Sequence, residues 1–177
     1  MNRPILVAYA TKRGSTKEVA ESVAEQLAAG GLAVEVRDAG AVDDLAPYGA
    51  VVLGSALYMG RMHKDARTFL AAHRTALQAM PLAVFGMGPR TLADHDVRES
   101  RKQIQSSLAR AGGIAPFSVA VFGGVVDPAK LGFPFSRLEA SDVRDWEAIA
   151  AWTAGIAPRL ASREPEAAAT LARAGAA

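Results

Sequence analysis

The sequence predicts an α/β fold, a doubly wound parallel sheet with helices on both faces. Short β-branched runs alternate with longer helical patterns almost to the end of the chain, which is the signature of that class. Several runs are apolar throughout, as strands buried on both faces require. The size agrees: 177 residues, 50% hydrophobic and 21% charged, make one compact domain or one domain with a modest extension, large enough to need no staple.

The first strand is Ile5-Leu6-Val7-Ala8-Tyr9, apolar from end to end. A helix follows over about Thr16 to Ala29, with Val19, Ala20, Val23, Ala24 and Leu27 at three- and four-residue spacing, and Gly30-Gly31 ends it. Val34 to Asp38 alternates apolar and polar residues and reads as a strand near an edge. A short helix is expected around Ala41 to Leu45, then a buried third strand at Ala50 to Gly54 and a loop from Ser55 to His63.

The next helix runs from about Lys64 to Leu77, and the fourth strand is Pro81 to Gly86. After a loop from Met87 to Asp96 comes a helix at Val97 to Ala111, then the fifth strand at Ser118 to Gly123. The Pro/Gly-rich stretch Val125 to Ser136 reads as a long surface loop. The last helix, about Val143 to Leu160, carries Trp146, Ile149, Trp152, Ile156 and Leu160. The domain therefore spans residues 1–161, and the Ala-rich 162–177 forms a tail or a loosely docked helix.

Composition excludes several chemistries. There is no cysteine, so there is no disulfide, thiolate metal site or cysteine nucleophile. Three scattered histidines, at 63, 73 and 95, argue against a metal cluster. The formal charge is only +2 with the basic residues dispersed, which gives nucleic acid little to bind. No apolar run approaches the roughly 18 residues of a membrane span, and no signal peptide opens the chain, so a cytoplasmic protein is expected. With 38 alanines but only two Trp, three Tyr and six Phe, each aromatic residue is informative.

In an open parallel sheet the ligand crevice lies beyond the carboxyl ends of the strands. Three loops there have unusual composition. The first, Thr11-Lys12-Arg13-Gly14-Ser15-Thr16, sets one glycine among hydroxyl residues at a helix start, where main-chain amides and hydroxyls surround a phosphate and Lys12 and Arg13 add charge. It matches neither the Walker pattern nor Gly-x-Gly-x-x-Gly. The second is Ser55-Ala56-Leu57-Tyr58-Met59-Gly60 and the third Met87-Gly88-Pro89-Arg90, whose small residues admit a flat ligand while Tyr58 or Met59 offers a stacking face. Read singly, the first is an ordinary capped βα turn and Tyr58 a packing aromatic; three such loops together favour a ligand.

At these residues the sequence resembles the flavodoxin-like family. The family's phosphate loop, Thr-x-x-Gly-x-Thr, is matched by Thr11, Gly14 and Thr16, and the resemblance covers roughly residues 4–160. It is closest to the flavodoxin-type, menaquinone-dependent protoporphyrinogen oxidase branch, through Tyr9 to Thr16, Val52 to Gly60 with His63, and Asp145-Trp146-Glu147. The resemblance implies a three-layer sandwich on a five-stranded parallel sheet in the order 2-1-3-4-5. It also implies FMN as cofactor, with phosphate at Thr11 to Thr16, one side of the ring at Ser55 to Gly60 and the other at Met87 to Arg90. The implied partners are a redox protein or a small aromatic or quinone-type substrate, and a homodimer stays open. The branch carries a long basic and aromatic insertion after strand five; here the corresponding Val125 to Asp142 is short and offers Lys130, Arg137, Phe133 and Phe135.

No loop supplies an obvious protein acid or base, so catalytic residues stay unassigned and the flavin carries the redox step. His63 and His95 are candidates for proton transfer but read more readily as capping or solvated residues. His73 and the two tryptophans read as structural. The alternative function is a flavodoxin-fold interaction or ligand-sensing module without flavin.

Overall fold

The computed structural model describes residues 3–162. Five parallel strands form the main sheet: β1 (Ile5–Ala10), β2 (Val34–Asp38), β3 (Ala50–Tyr58), β5 (Leu82–Met87) and β6 (Ser118–Phe122), in the order β2-β1-β3-β5-β6. Counting only these five, the order is the expected 2-1-3-4-5. The sixth member, β4 (Arg61–Met62), pairs antiparallel with the end of β3.

Alternation along each strand builds two cores. Leu6, Ala8, Val51 and Leu53 face the layer formed by α2 (Lys64–Ala72), α3 (Arg74–Gln78) and α4 (Asp94–Arg110). Ile5, Val7, Ala50 and Val52 face α1 (Ser15–Ala29) and α5 (Trp146–Ser162). Central strands are therefore apolar on both faces, and Val34–Asp38 lies at the edge, as its alternation predicts. On the second face Phe85, Phe122 and Trp152 form a ring cluster with centroids 5.6 to 5.8 Å apart, and the Trp152 indole donates to Ser118 Oγ at 2.9 Å.

Beyond small shifts at other ends, such as α4 opening at Asp94, α5 at Trp146 and β5 running on through Met87, four readings differ from the structure. The stretch expected as a loop from Ser55 is largely strand, because β3 runs on to Tyr58 and turns back through β4. The helix expected around Ala41 to Leu45 is a single 3-10 turn at Ala39–Ala41, started by Asp38 Oδ1 accepting from Gly40 N–H at 2.8 Å. The helix expected over Lys64 to Leu77 breaks at His73, whose Nε2 lies 3.1 Å from Val42 O and whose ring lies 4.9 Å from that of Phe69. The long loop after β6 is tied down: β7 (Val125–Val126) pairs antiparallel with β8 (Ser141–Asp142), with 3-10 turns at Pro128–Lys130 and Phe135–Arg137 between them. The tail expected from 162 onward lies outside the described residues, apart from Ser162, which ends α5.

Candidate functional site

The first loop turns on Gly14, which adopts φ +96 and stands at the N-cap of α1. A β-carbon there meets nothing within 4 Å, so glycine is needed for its backbone and not for space. Thr11 Oγ1 accepts from the amides of Arg13 at 3.3 Å and Gly14 at 3.1 Å, which closes the loop on itself. No side chain caps α1, and the amides of Ser15, Thr16 and Lys17 open the helix without intrahelical acceptors.

Thr16 is fully buried, and among the described residues its Oγ1 is the one buried side-chain polar atom with no hydrogen-bond partner. A buried hydroxyl left unpaired costs roughly 1–3 kcal/mol. Unpaired donors at the positive end of a helix are of the kind that could hold an anion such as phosphate.

At the second loop the hairpin from β3 to β4 turns on Met59 and Gly60, both at positive φ, +48 and +78. A non-glycine residue in that region is uncommon, and the Met59 side chain is fully exposed at its tip. Tyr58 ends β3, and Met59 opens the turn. The Tyr58 ring has the Arg13 guanidinium over its face at 5.5 Å and His63 edge-on at 6.1 Å. Leu57, Met59 and Gly60 face Gly88, Pro89 and Arg90 of the third loop across a separate cleft of about 320 Å³.

The structure thus brings Thr11 to Thr16 to one place and joins part of the second and third loops at another. Three predicted residues lie deeper. Ser55 is buried, its Oγ donating to Ala56 O at 2.9 Å and accepting from His63 N–H at 3.0 Å, so it braces the hairpin; Ala56 and Met87 are also buried in their strands. His63 caps α2, its Nδ1 accepting from Asp65 N–H at 3.2 Å. His95 is exposed beside Asp96 at 3.5 Å.

Sequence reasoning missed Arg144. Its guanidinium meets both oxygens of Asp142, pairs with Glu18 in the first turn of α1, and lies 5.0 Å from the Trp146 ring centroid. These acceptors push its pKa up, and Arg144 holds the Asp142 carboxyl below the usual range. Trp146 is accordingly a 44% exposed surface ring and not the packing residue expected. Sequence spacing gave no signal for this cluster, since Glu18 lies 126 positions from Arg144.

A parallel sheet in this order, with a glycine-turned loop opening α1 and two further loops at the carboxyl ends of its central strands, defines a flavodoxin-like protein. The chain belongs to the flavodoxin-domain family, whose model matches residues 6–138 and whose cofactor is FMN. Among solved structures it is similar to a cysteine-to-serine mutant of flavodoxin from Pseudomonas aeruginosa, with 18% identity, a TM-score of 0.59, and 89% of this chain and 98% of that chain covered. Oxidised flavodoxin 2 from Bacillus cereus gives 20% identity and a TM-score of 0.54, with 90% and 98% covered. Rubredoxin oxygen:oxidoreductase from Desulfovibrio gigas gives 17% and 0.61, with 91% of this chain and 37% of that chain covered. At those identities the likeness is one of fold.

In sequence the chain is 27% identical over 84 residues to protoporphyrinogen IX dehydrogenase [quinone] from Escherichia coli strain K12. That match covers 46% of each protein, so the chain spans about half the length of the curated relatives it matches. No helix among the described residues is long and apolar enough to cross a membrane.

Proposed function

We propose that this chain is an FMN-dependent oxidoreductase acting on an aromatic or quinone-type substrate, in the manner of the flavodoxin-type protoporphyrinogen oxidases. The observation that carries the reading is Thr16, whose buried hydroxyl has no partner within the fold. Seated on the amides of Ser15, Thr16 and Lys17, a phosphate accepts from that hydroxyl, while Lys12 and Arg13 supply charge from the rim. The cleft between Leu57, Met59 and Gly60 on one side and Gly88, Pro89 and Arg90 on the other suits the flat ring. Ser55, Ala56 and Met87 act from beneath by holding those loops.

Bound FMN supplies the electron transfer, and the protein binds and orients it. Main-chain groups at Met59-Gly60 and Gly88 edge the ring cleft, and the exposed Met59 stands at its rim on the hairpin tip. The resemblance in sequence to a protein named protoporphyrinogen IX dehydrogenase [quinone] supports the substrate class.

The test is the visible absorption spectrum of the purified protein, repeated after FMN is added and the excess removed, beside a Gly14→Asp, Thr16→Ala variant. The proposal predicts a retained flavin spectrum that the variant loses, and then turnover with protoporphyrinogen and a quinone acceptor. Absence of retained flavin overturns it and favours a flavin-free binding module.

A further inference from the structure

An open depression of about 590 Å³ separates the outer end of the third loop from the start of α5. One wall is Arg90, Thr91 and Leu92; the other is Val143 to Glu147. Arg90 is the one residue it shares with the ring cleft, and the flavin reading gives no part to Leu92, Trp146 or Glu147. Each wall carries one exposed apolar side chain, Leu92 at 47% and Trp146 at 44%. The Arg144 guanidinium lies over the Trp146 ring and is itself fixed on Asp142, so the indole is ordered without being covered. A preordered tryptophan loses little freedom on contact, which is what makes it an effective anchor at an interface.

The walls also differ in charge. Arg90 stands on the loop wall and Glu147 on the helix wall, and neither forms an ion pair among the described residues, whereas Glu18, Glu21, Glu35 and Glu99 each meet a cation. Asp145 is already engaged, its Oδ1 accepting from Ala148 N–H at 2.9 Å in the first turn of α5. Each wall therefore presents an apolar side chain beside a charge, and the two charges are opposite. Such a surface is complementary to itself: a two-fold rotation sets the loop wall of each copy on the helix wall of the other, Leu92 against Trp146 and Arg90 against Glu147, twice over. A partner of a single charge sign would be repelled by one of the two walls.

We propose that this depression is the contact face of a symmetric homodimer, centred on Leu92 and Trp146 and set in register by Arg90 and Glu147. The proposal goes beyond the redox reading and does not depend on it. One leucine and one tryptophan from each copy make a small apolar centre, so association is weak and concentration-dependent. Glu147 of the second copy then fixes the Arg90 guanidinium, so that each copy braces the end of the other's third loop.

The test is sedimentation equilibrium of the purified full chain, supplied with FMN, over a series of protein concentrations. The proposal predicts a mass that rises from one chain to two, with association weakened at least about tenfold in Arg90→Glu and in Glu147→Arg, each of which sets like charges face to face. Mixed in equal amounts, these two variants regain the dimer of the parent, because each reversed charge meets its opposite on the other chain. Damage to folding is not repaired by mixing, so this recovery separates a contact across copies from a structural role. Leu92→Asp, which leaves both charges in place, abolishes the dimer. A parent chain that stays monomeric at about 100 μM overturns the proposal. So does a dimer that Leu92→Asp and the charge reversals leave unmoved, and so does a loss of association that mixing fails to restore. Flavin absorbance read on the same samples keeps the two ideas apart. A dimer without retained FMN overturns only the redox reading, and retained FMN on a monomer overturns only the contact face.

Discussion

The Arg144 guanidinium and the Glu18 carboxylate meet across 126 positions of sequence, joining the segment after β6 to the first turn of the helix that opens at the Thr11 to Thr16 loop. Glu18, Arg13 and Ser15 border one small cavity with Arg144, about 50 Å³ in volume. Arg144 therefore both anchors the hairpin and neutralises a carboxylate close to where phosphate charge would sit. The side chain of Arg144 is only 11% exposed, while those of Glu18 and Asp142 are about half exposed at 55% and 46%.

Replacing Arg144 with methionine is expected to cost about 1 kcal/mol of stability, solvent screening of its partners keeping the loss small. It is also expected to weaken FMN binding severalfold, because Glu18 then faces the phosphate unpaired. Adding Glu18→Gln restores FMN affinity but not stability, read by flavin titration and by urea unfolding. An FMN affinity that Glu18→Gln fails to restore shows that Arg144 acts only as an anchor.

Gly123 allows the closest main-chain approach behind the site. A β-carbon at Gly123 falls 2.0 Å from Val143 O, and Val143 N–H donates to Gly124 O at 3.2 Å while Gly124 N–H donates to Pro89 O at 3.0 Å. Gly123→Ala is expected to destabilise the protein by about 2 kcal/mol through overpacking, and to loosen the third loop through Gly124. Denaturant unfolding measures the first effect, and FMN dissociation rates the second. An unfolding midpoint equal to that of the parent chain rules out the close approach.

Stability at low pH follows from Asp142 and Glu35. Arg144 lowers the Asp142 pKa by hydrogen bonding, and the Tyr48 hydroxyl, donating at 2.7 Å, is the largest influence lowering that of Glu35. A carboxyl with a depressed folded-state pKa contributes stability that is present above its unfolded value, about pH 4, and disappears as pH falls through the lowered value. Asp142→Asn and Glu35→Gln are each expected to flatten the decline of melting temperature below about pH 4. A decline as steep as the parent's contradicts the assignment.

Much of the architecture was legible because burial on two faces leaves a plain sequence mark. Ile5 to Tyr9 and Ala50 to Gly54 are apolar throughout, and Val34 to Asp38 alternates, which is enough to place centre and edge. The first loop was legible because Gly14 and its hydroxyl neighbours adjoin one another in sequence. The hairpin at Met59-Gly60 was not, since methionine gives no warning of a positive φ. Nor was the bracing role of Ser55, which depends on His63 returning to it through that hairpin. The Arg144 cluster draws residues from remote elements, so no local pattern announces it.

The most direct measurement is a comparison of parent and Thr16→Val proteins, in which valine keeps the shape of threonine and removes only the hydroxyl. If that hydroxyl is held unpaired for a phosphate, the flavin-free variant is as stable as the parent or more stable, by up to about 3 kcal/mol, while FMN affinity falls about tenfold or more. A variant that melts lower without flavin and binds FMN as tightly as the parent contradicts the placement of phosphate at Thr16.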